Sequence, residues 1–250
     1  MVCVPERPVA CDEKPGKISD MFKALFKNDQ AMTVVVSIIL VYTSLNICGN
    51  LVLYFFRFDV GNEGAYSIFA AVAFAAQVLV MMVIPLLRKR FSKSQLFISG
   101  FIIQISGFAV ILIMAFAKLY TPQSWYILCL PGILIYLGYG MLNVIMTIFL
   151  SDSVDYGEVM NGTREESVIF SMQTFTVKLA SGVAVFLAGL VVDWIHLDTA
   201  AAVQTQDTLD ALRMWMTIPS VILLIVGIFV FKRFYKLDDT RMEEIKSKLN

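Results

Sequence analysis

The stretch Glu166-Ser-Val-Ile-Phe-Ser-Met-Gln-Thr-Phe-Thr-Val-Lys178-Leu-Ala-Ser-Gly182 leads into an apolar segment that runs from Val168 to Val192. This segment has 25 residues, and a helix needs about 20 to cross the hydrocarbon core of a bilayer. Lys178 is its eleventh residue, about 18 Å along a helix from Glu166 and about 22 Å from Asp193. A lysine near the bilayer centre costs about 2.5–3.5 kcal/mol on insertion scales, so Lys178 marks a candidate functional site.

The bulk composition is that of an integral membrane protein. Of the 250 residues, 58% are hydrophobic and 16% charged, and mean hydropathy is +0.74; soluble domains have about 45–50% apolar and about 25% charged residues. The formal net charge is zero, so no long-range field favours a nucleic acid partner. The four cysteines lack metal-ligand spacing, and the single histidine lies in a predicted loop without a nucleophile nearby. The sequence therefore predicts neither an enzyme nor a bound cofactor or metal.

Six apolar spans follow a polar N-terminal segment, residues 1–30. Each span is long enough to cross a bilayer and nearly free of charge apart from Lys178. The predicted fold is an all-α integral membrane protein with a six-helix transmembrane bundle over residues 31–234. Its spans are predicted at residues 31–56, 65–87, 96–117, 126–150, 168–192 and 214–233.

Two short amphipathic patterns flank the bundle. Ile18–Asn28 suits a helix lying on the membrane surface and equally suits a helical linker to the first span. Residues 235–250 are predicted to form a cytoplasmic tail helix, because Thr240-Arg-Met-Glu243 has the pattern of a capping box.

The lysines and arginines predict the orientation. With six spans both termini face the same side, and that side carries 16 of these cations against three on the other. Positive charge concentrates on the cytoplasmic side of membrane proteins. We therefore expect a multi-pass protein of the cytoplasmic (plasma) membrane, with both termini in the cytoplasm and the lipid bilayer around the spans.

Three spans carry polar side chains along one face. Aromatic rings beside amides and hydroxyls suit a sugar, while the small residues among them equally suit close packing of helices. For the mid-span amides Gln77 and Gln104, hydrogen bonds between helices are favoured over ligand contact. The faces comprise Tyr42, Thr43, Asn46, Asn50 and Tyr54 in the first span; Gly132, Tyr136, Tyr139, Gly140, Asn143 and Thr147 in the fourth; and Ser167, Ser171, Thr174, Lys178, Ser181, Gly182, Val185 and Gly189 in the fifth, with Gln173 on the flank.

An acidic segment between the fourth and fifth spans, Ser151 to Glu166, is predicted to be a cytoplasmic loop that pairs with a basic partner elsewhere. Three motifs follow one another here: Ser151-Asp-Ser-Val-Asp-Tyr-Gly-Glu158, then Thr163-Arg-Glu-Glu-Ser167, then Ser171-Met-Gln-Thr174 with Lys178 four residues later. Together they resemble the glycoside–pentoside–hexuronide:cation symporters. These melibiose permease-like proteins belong to the major facilitator superfamily. The resemblance covers nearly the whole chain.

The resemblance implies two six-helix bundles around a central cavity with alternating access, of which this chain would be only the C-terminal bundle. It implies a sugar or glycoside symporter coupled to Na⁺ or H⁺. Such a symporter would be inactive without an N-terminal half, which would bind the coupling ion in the main. The six predicted spans carry no mid-membrane Asp or Glu, in agreement with such a division. Two alternatives remain: a half-size transporter acting as a homodimer, and a non-transporting scaffold or sensor.

The resemblance also implies roles for particular residues. Lys178 matches a lysine that links the cation-binding and sugar-binding regions, and Gln173 and Thr174 match positions on the sugar side. The cytoplasmic gate is matched by Asp152 and Arg164, together with Asp155. Asn143 stands where melibiose-type members have an aromatic residue. The candidate site for substrate and coupling therefore comprises Lys178, Gln173, Thr174, Tyr136, Tyr139, Asn143, Asn46 and Asn50. The partner of Lys178 is expected across an interface with the other bundle.

Overall fold

The computed structural model describes residues 26–162 and 166–249. The first six of its seven α-helices are long and apolar enough to cross a membrane, which confirms the all-α, six-helix fold class. A π-helical turn, Phe55–Val60, continues α1, and a 3-10 turn, Trp125–Leu128, leads into α4. The helices are α1 Asp29–Tyr54, α2 Ala65–Leu87, α3 Lys93–Phe116, α4 Cys129–Asn161, α5 Glu166–Trp194, α6 Gln206–Phe234 and α7 Asp239–Leu249.

Successive membrane-length helices place the start of α1 and the end of α6 at the same end of the bundle. We call this end the terminal face, and the opposite end, with the π-helical turn and the start of α6, the distal face. Residues 18–25 of the predicted surface helix, Ile18–Asn28, lie outside the described residues. The last residue of that prediction, Asn28, is the N-cap of α1.

The prediction of a loop over Ser151–Glu166 is wrong for most of that segment. Residues 151–161 form the last three turns of α4, which ends at Gly162 in a left-handed conformation (φ 73°). The N–H of Gly162 donates to the carbonyl oxygen of Glu158 at 2.9 Å. Hydropathy detects only the part of a helix within lipid, and α4 continues beyond that part into the polar region.

The tail helix α7 forms, but the predicted capping box does not cap it. Asp238 is the capping residue, because its Oδ1 accepts from the backbone N–H of Arg241 at 2.8 Å. Thr240 is already inside the helix. A small apolar cluster holds α7 against the end of α4; it comprises Leu237, Met242 and Ile245, with Tyr156, Val159 and Tyr235 packed around them.

Glycines of α4 let neighbouring helices approach closely. A Cβ on Gly138 would lie 2.5 Å from the carbonyl oxygen of Gly100 and the backbone nitrogen of Gln104, both on α3. On another side of α4, a Cβ on Gly140 would lie 2.6 Å from Val80 of α2. For Gly140, which is on the predicted polar face, the packing interpretation is therefore correct; Gly138, which is not on that face, packs in the same way.

The bundle is organised around α1 and α4. Helix α4 packs against α2 and α3, α1 packs against α5 and α6, and α3 also contacts α6. Near the terminal face the core is aromatic: the Phe97 ring lies 4.5 Å from that of Phe231 and 5.1 Å from that of Phe149, centroid to centroid. This cluster joins α3, α4 and α6.

The interhelical hydrogen bond predicted for Gln104 is not formed. Its side chain is fully buried in α3, and neither amide atom has a hydrogen-bond partner among the described residues. Gln77 is half-buried, and its side chain likewise has no hydrogen bond within residues 26–162 and 166–249.

At the distal face a buried ion pair fastens α6 to the end of α1. Arg213 donates from Nε to Oδ2 of Asp59 at 2.7 Å and from Nη2 to Oδ1 at 2.6 Å. The hydroxyl of Tyr120 donates to the same carboxylate at 2.7 Å. The side chains of Arg213 and Asp59 are only 3% and 4% exposed, so the Asp59 charge depends on this pairing, while Arg213 also donates from Nη1 to Oδ1 of Asp210 at 2.7 Å.

Candidate functional site

The polar faces of α1 and α4 meet through Tyr42. Asn143 donates from Nδ2 to the hydroxyl oxygen of Tyr42 at 2.6 Å. The ring of Tyr42 also packs edge-on against Tyr139 at 5.5 Å, and Tyr139 in turn lies 6.5 Å from Tyr136. Three predicted site residues, Tyr136, Tyr139 and Asn143, are thus brought together.

Tyr42 was on the predicted polar face but not among the predicted site residues. Its position four residues before Asn46 is the signal that could have included it, because residues four apart share one side of a helix. Helical spacing alone cannot show that its hydroxyl reaches Asn143 of another helix.

Asn46 and Asn50 are half-buried and bond to their own helix. Asn46 donates from Nδ2 to the carbonyl oxygen of Tyr42, and Asn50 to that of Asn46, both at 2.7 Å. These bonds use the amide N–H groups. The side-chain carbonyl oxygens of both residues therefore stay available as acceptors on this face.

A groove of about 510 Å³ separates α1 from α5 toward the distal face. Asn50 and Tyr54 line it from α1, and Gly189 and Asp193 line it from α5. An aromatic ring, an amide and a carboxylate therefore border the same space. Lys178 is not among its lining residues, although it lies on the same side of α5 as Gly189.

The face of α5 that carries Lys178 is open. Lys178 is exposed, and its ammonium has no hydrogen bond or ion pair with any residue that the structure describes. A Cβ on Gly182 or Gly189 would meet nothing within 4 Å. Neither glycine therefore packs closely against another part of the described chain, in contrast to the glycines of α4.

Two further predicted residues lie on α5 toward the terminal face. Gln173 is half-buried, and its Nε2 makes a long contact of 3.5 Å with Oγ1 of Thr147 on α4. The hydroxyl of Thr174 is exposed and donates to the carbonyl oxygen of Phe170 at 3.2 Å. The structure links Gln173 to α4 but joins neither residue to Lys178.

The predicted gate residue Asp152 has a basic partner, as predicted for the acidic segment, but the sequence did not identify which residue it is. Lys93, the first residue of α3, forms a buried ion pair with Asp152, and the two side chains are 7% and 6% exposed. The Lys93 ammonium also lies 3.4 Å from Oδ1 of Asp239, at the start of α7. Lys93 therefore ties α3, α4 and α7 together. Asp155 is half-buried one turn after Asp152, and Arg164 lies outside the described residues.

Charges around this network shift two pKa values. Partial burial alone would raise the pKa of Asp239, but Lys93 and Arg88 outweigh it and hold that pKa below its usual value. Burial, and next the charge of Asp152, raise the pKa of Tyr235 above its usual range. Asp239 is therefore ionised and Tyr235 neutral over the physiological pH range.

No group of three metal-ligating side chains lies close together in the described ranges 26–162 and 166–249. The carboxylates of these ranges lie at or beyond the ends of the spans, and Lys178 stands alone as a mid-span charge. The arrangement offers hydroxyl, amide and aromatic groups to a polar ligand and one cation to an anionic partner.

Comparison with known proteins identifies the family. The sequence profile described as MFS/sugar transport protein matches residues 5–239. An uncharacterized symporter of Bacillus subtilis is 25% identical over 233 residues, which are 93% of this chain and 49% of the relative. A raffinose carrier protein of Pediococcus pentosaceus is 23% identical over 234 residues, covering 93% and 35% of the two chains. An isoprimeverose transporter of Lactiplantibacillus pentosus is 25% identical over 228 residues, covering 90% and 46%.

The chain thus spans about half or less of the length of these relatives. The match confirms the resemblance to the sugar symporters of the major facilitator superfamily, which is a superfamily of transporters and not of enzymes. Together with six apolar helices, it also confirms a multi-pass membrane protein. The chain belongs to the MFS/sugar transport protein family.

Proposed function

We propose that this chain is the C-terminal six-helix half of a sugar or glycoside symporter that works by alternating access and is coupled to Na⁺ or H⁺. The observation that carries the proposal is the open polar face of α5, with Lys178 exposed and unpaired within the described chain. In lipid such a lysine would be costly, so the face requires a polar neighbour.

An N-terminal half would supply that neighbour. A carboxylate cluster on it would keep Lys178 charged and would let cation binding and sugar binding influence each other. The chain's own share of the sugar site would be the amide groups of Asn46, Asn50 and Asn143 with the rings and hydroxyls of Tyr136 and Tyr139. The sugar carriers among the relatives support this class of substrate.

The ion pair between Lys93 and Asp152 belongs to the proposed gate. In alternating access the ends of the two halves must close and open in turn, and charge networks that can exchange partners suit that role. The excess of cations at the terminal face supports a cytoplasmic location for it and for both termini.

The test is uptake of a labelled glycoside by cells that make this chain with and without an N-terminal half of the family. We expect cation-driven accumulation only with both halves, and its loss in Lys178→Ala, while Lys89→Ala, an exposed lysine between α2 and α3, leaves uptake unchanged. Full accumulation by Lys178→Ala would overturn the coupling role.

The same assay separates the alternative assemblies. Accumulation by the chain alone, together with a cross-linked dimer in the membrane, would indicate a half-size transporter. Binding of a sugar without flux in either arrangement would indicate a sensor or scaffold. The first result would contradict the need for an N-terminal half, and the second would contradict a role in transport.

A further inference from the structure

A second groove lies at the terminal face, away from the polar face of α5. It has a volume of about 430 Å³ and separates the start of α1 from the end of α6. Met32 and Val36 of α1 and Val230 of α6 form its apolar wall. From Asp29 to Val36 the groove extends about 10 Å along α1 at 1.5 Å per residue, so it reaches from the polar region into the hydrocarbon region.

The mouth of the groove is aromatic and polar. Phe26 and Phe234 line it and are 70% and 51% exposed. Rings exposed at the end of a span are typical of the headgroup level of a bilayer. They mark the depth at which a lipid headgroup would lie.

Cations outnumber anions around this mouth. Lys236 lines it, Arg233 lies with its guanidinium carbon 6.0 Å from the ring centroid of Phe234, and Lys27 is exposed beside Phe26. The opposing carboxylate is that of Asp29, whose Oδ2 accepts from Gln30 Nε2 at 2.9 Å and lies 3.4 Å from the Lys236 ammonium.

The pair between Lys236 and Asp29 leaves room for another anion. Its side chains are 61% and 54% exposed, and exposed pairs are held together weakly. The Lys236 ammonium has three donors, so it can contact a phosphate while Asp29 keeps its bond from Gln30.

We propose that this groove binds an anionic phospholipid. The phosphate would lie between Lys236 and Arg233, and one acyl chain would follow Met32, Val36 and Val230. An apolar channel that opens at the headgroup level beside a surplus of cations fits an amphiphile with an anionic head. A soluble anion would leave the apolar wall uncovered, and a zwitterionic lipid would leave the cations without a net counter-charge.

The chain itself offers a matched control. Lys232 is on the same last turn of α6 and is also exposed, but two residues after Val230 it lies about 200° around the helix from the groove. Lys89, between α2 and α3, is a second exposed cation at the terminal face outside the groove. Removing these two lowers the charge of this face as much as removing Arg233 and Lys236.

The experiment counts lipids that remain bound to the full chain. The protein is reconstituted into nanodiscs of phosphatidylcholine with one-fifth phosphatidylglycerol, released into mild detergent and weighed by native mass spectrometry. For Arg233→Gln/Lys236→Gln we expect about a tenfold fall in bound phosphatidylglycerol relative to phosphatidylcholine, and for Lys232→Gln/Lys89→Gln less than a twofold fall.

A third variant tests the apolar wall without changing any charge. Val36→Trp fills the groove and should reduce retention of phosphatidylglycerol severalfold while thermal unfolding in detergent stays within a few degrees. Equal losses in the groove and control double variants would show diffuse charge attraction and overturn the site. Unchanged retention of phosphatidylglycerol in Arg233→Gln/Lys236→Gln or in Val36→Trp would also overturn the site.

Discussion

The buried ion pair between Arg213 and Asp59 provides the strongest test of how α6 is held to α1. We expect Arg213→Gln to leave the Asp59 carboxylate buried with the Tyr120 hydroxyl as its one remaining donor among the described residues. The carboxylate is 4% exposed, so in the wild type, protein donors rather than bulk water satisfy its charge.

The magnitude follows from the geometry. Breaking a buried ion pair by removing one partner costs about 3–5 kcal/mol. The two lost bonds to Asp59, at 2.6 and 2.7 Å, give a similar figure, because hydrogen bonds to charged groups contribute about 1.5–3 kcal/mol each. The bond from Nη1 of Arg213 to Oδ1 of Asp210, at 2.7 Å, is lost as well, but the Asp210 side chain is 36% exposed and its pairing contributes less. At about 2–4 °C per kcal/mol for a chain of this length, Tm should fall by roughly 6–20 °C.

The assay is thermal unfolding of the purified chain in detergent, followed by tryptophan fluorescence. Asp59→Asn/Arg213→Gln should lose less than the sum of the single variants by about 2 kcal/mol, because neither charge is then left unpaired. The exposed pair of Arg57 and Glu63, at 3.7 Å, is the control, and Arg57→Gln should cost under about 1 kcal/mol. A fall in Tm for Arg213→Gln no larger than for Arg57→Gln, or strict additivity in the double variant, would refute the reasoning.

Three further outcomes are expected. Gly138→Leu should lower Tm by about 5–10 °C, because even its Cβ would lie 2.5 Å from backbone atoms of α3; an unchanged Tm would contradict that packing. Gln104→Leu should keep or raise stability by about 1 kcal/mol, since it removes an amide without a partner, and a large loss would reveal a partner that the described chain does not show. The lowered pKa of Asp239 means that its stabilisation of α7 is present above pH 3.8, the usual pKa, and is lost as pH falls through the lower folded value. Limited proteolysis of α7 should therefore speed up below about pH 3.8 in the wild type and lose this dependence in Asp239→Asn.

Helical spacing was enough to assign most residues of the candidate site to one side of their helix. Asn46 and Asn50, four residues apart, lie on one side of α1, and Tyr136, Tyr139 and Asn143 share a side of α4. Spacing could not say which glycines pack and which face open space. Gly140 meets α2 and Gly182 meets nothing within 4 Å, although both were on predicted polar faces. That difference depends on which helix lies opposite.

The pairing of residues that are distant in the chain could not be predicted from the sequence either. Lys93 and Asp152 are 59 positions apart, and Arg213 and Asp59 are 154 apart. Each pair forms because short connections place the ends of different helices at the same face of the bundle. The acidic end of α4 did suggest a basic partner, but several lysines and arginines on that side could have met it.

The sequence by itself determined the class of the protein. Runs of more than 20 apolar residues have one stable arrangement in lipid, a helix that satisfies its own backbone hydrogen bonds, and the lone Lys178 among them indicated a polar face. The tertiary structure decided where that lysine points and what it meets. Helix α5 packs its buried face on α1 and leaves the Lys178 face exposed, because side-chain packing between helices, rather than the hydropathy of any one of them, determines how each helix is rotated.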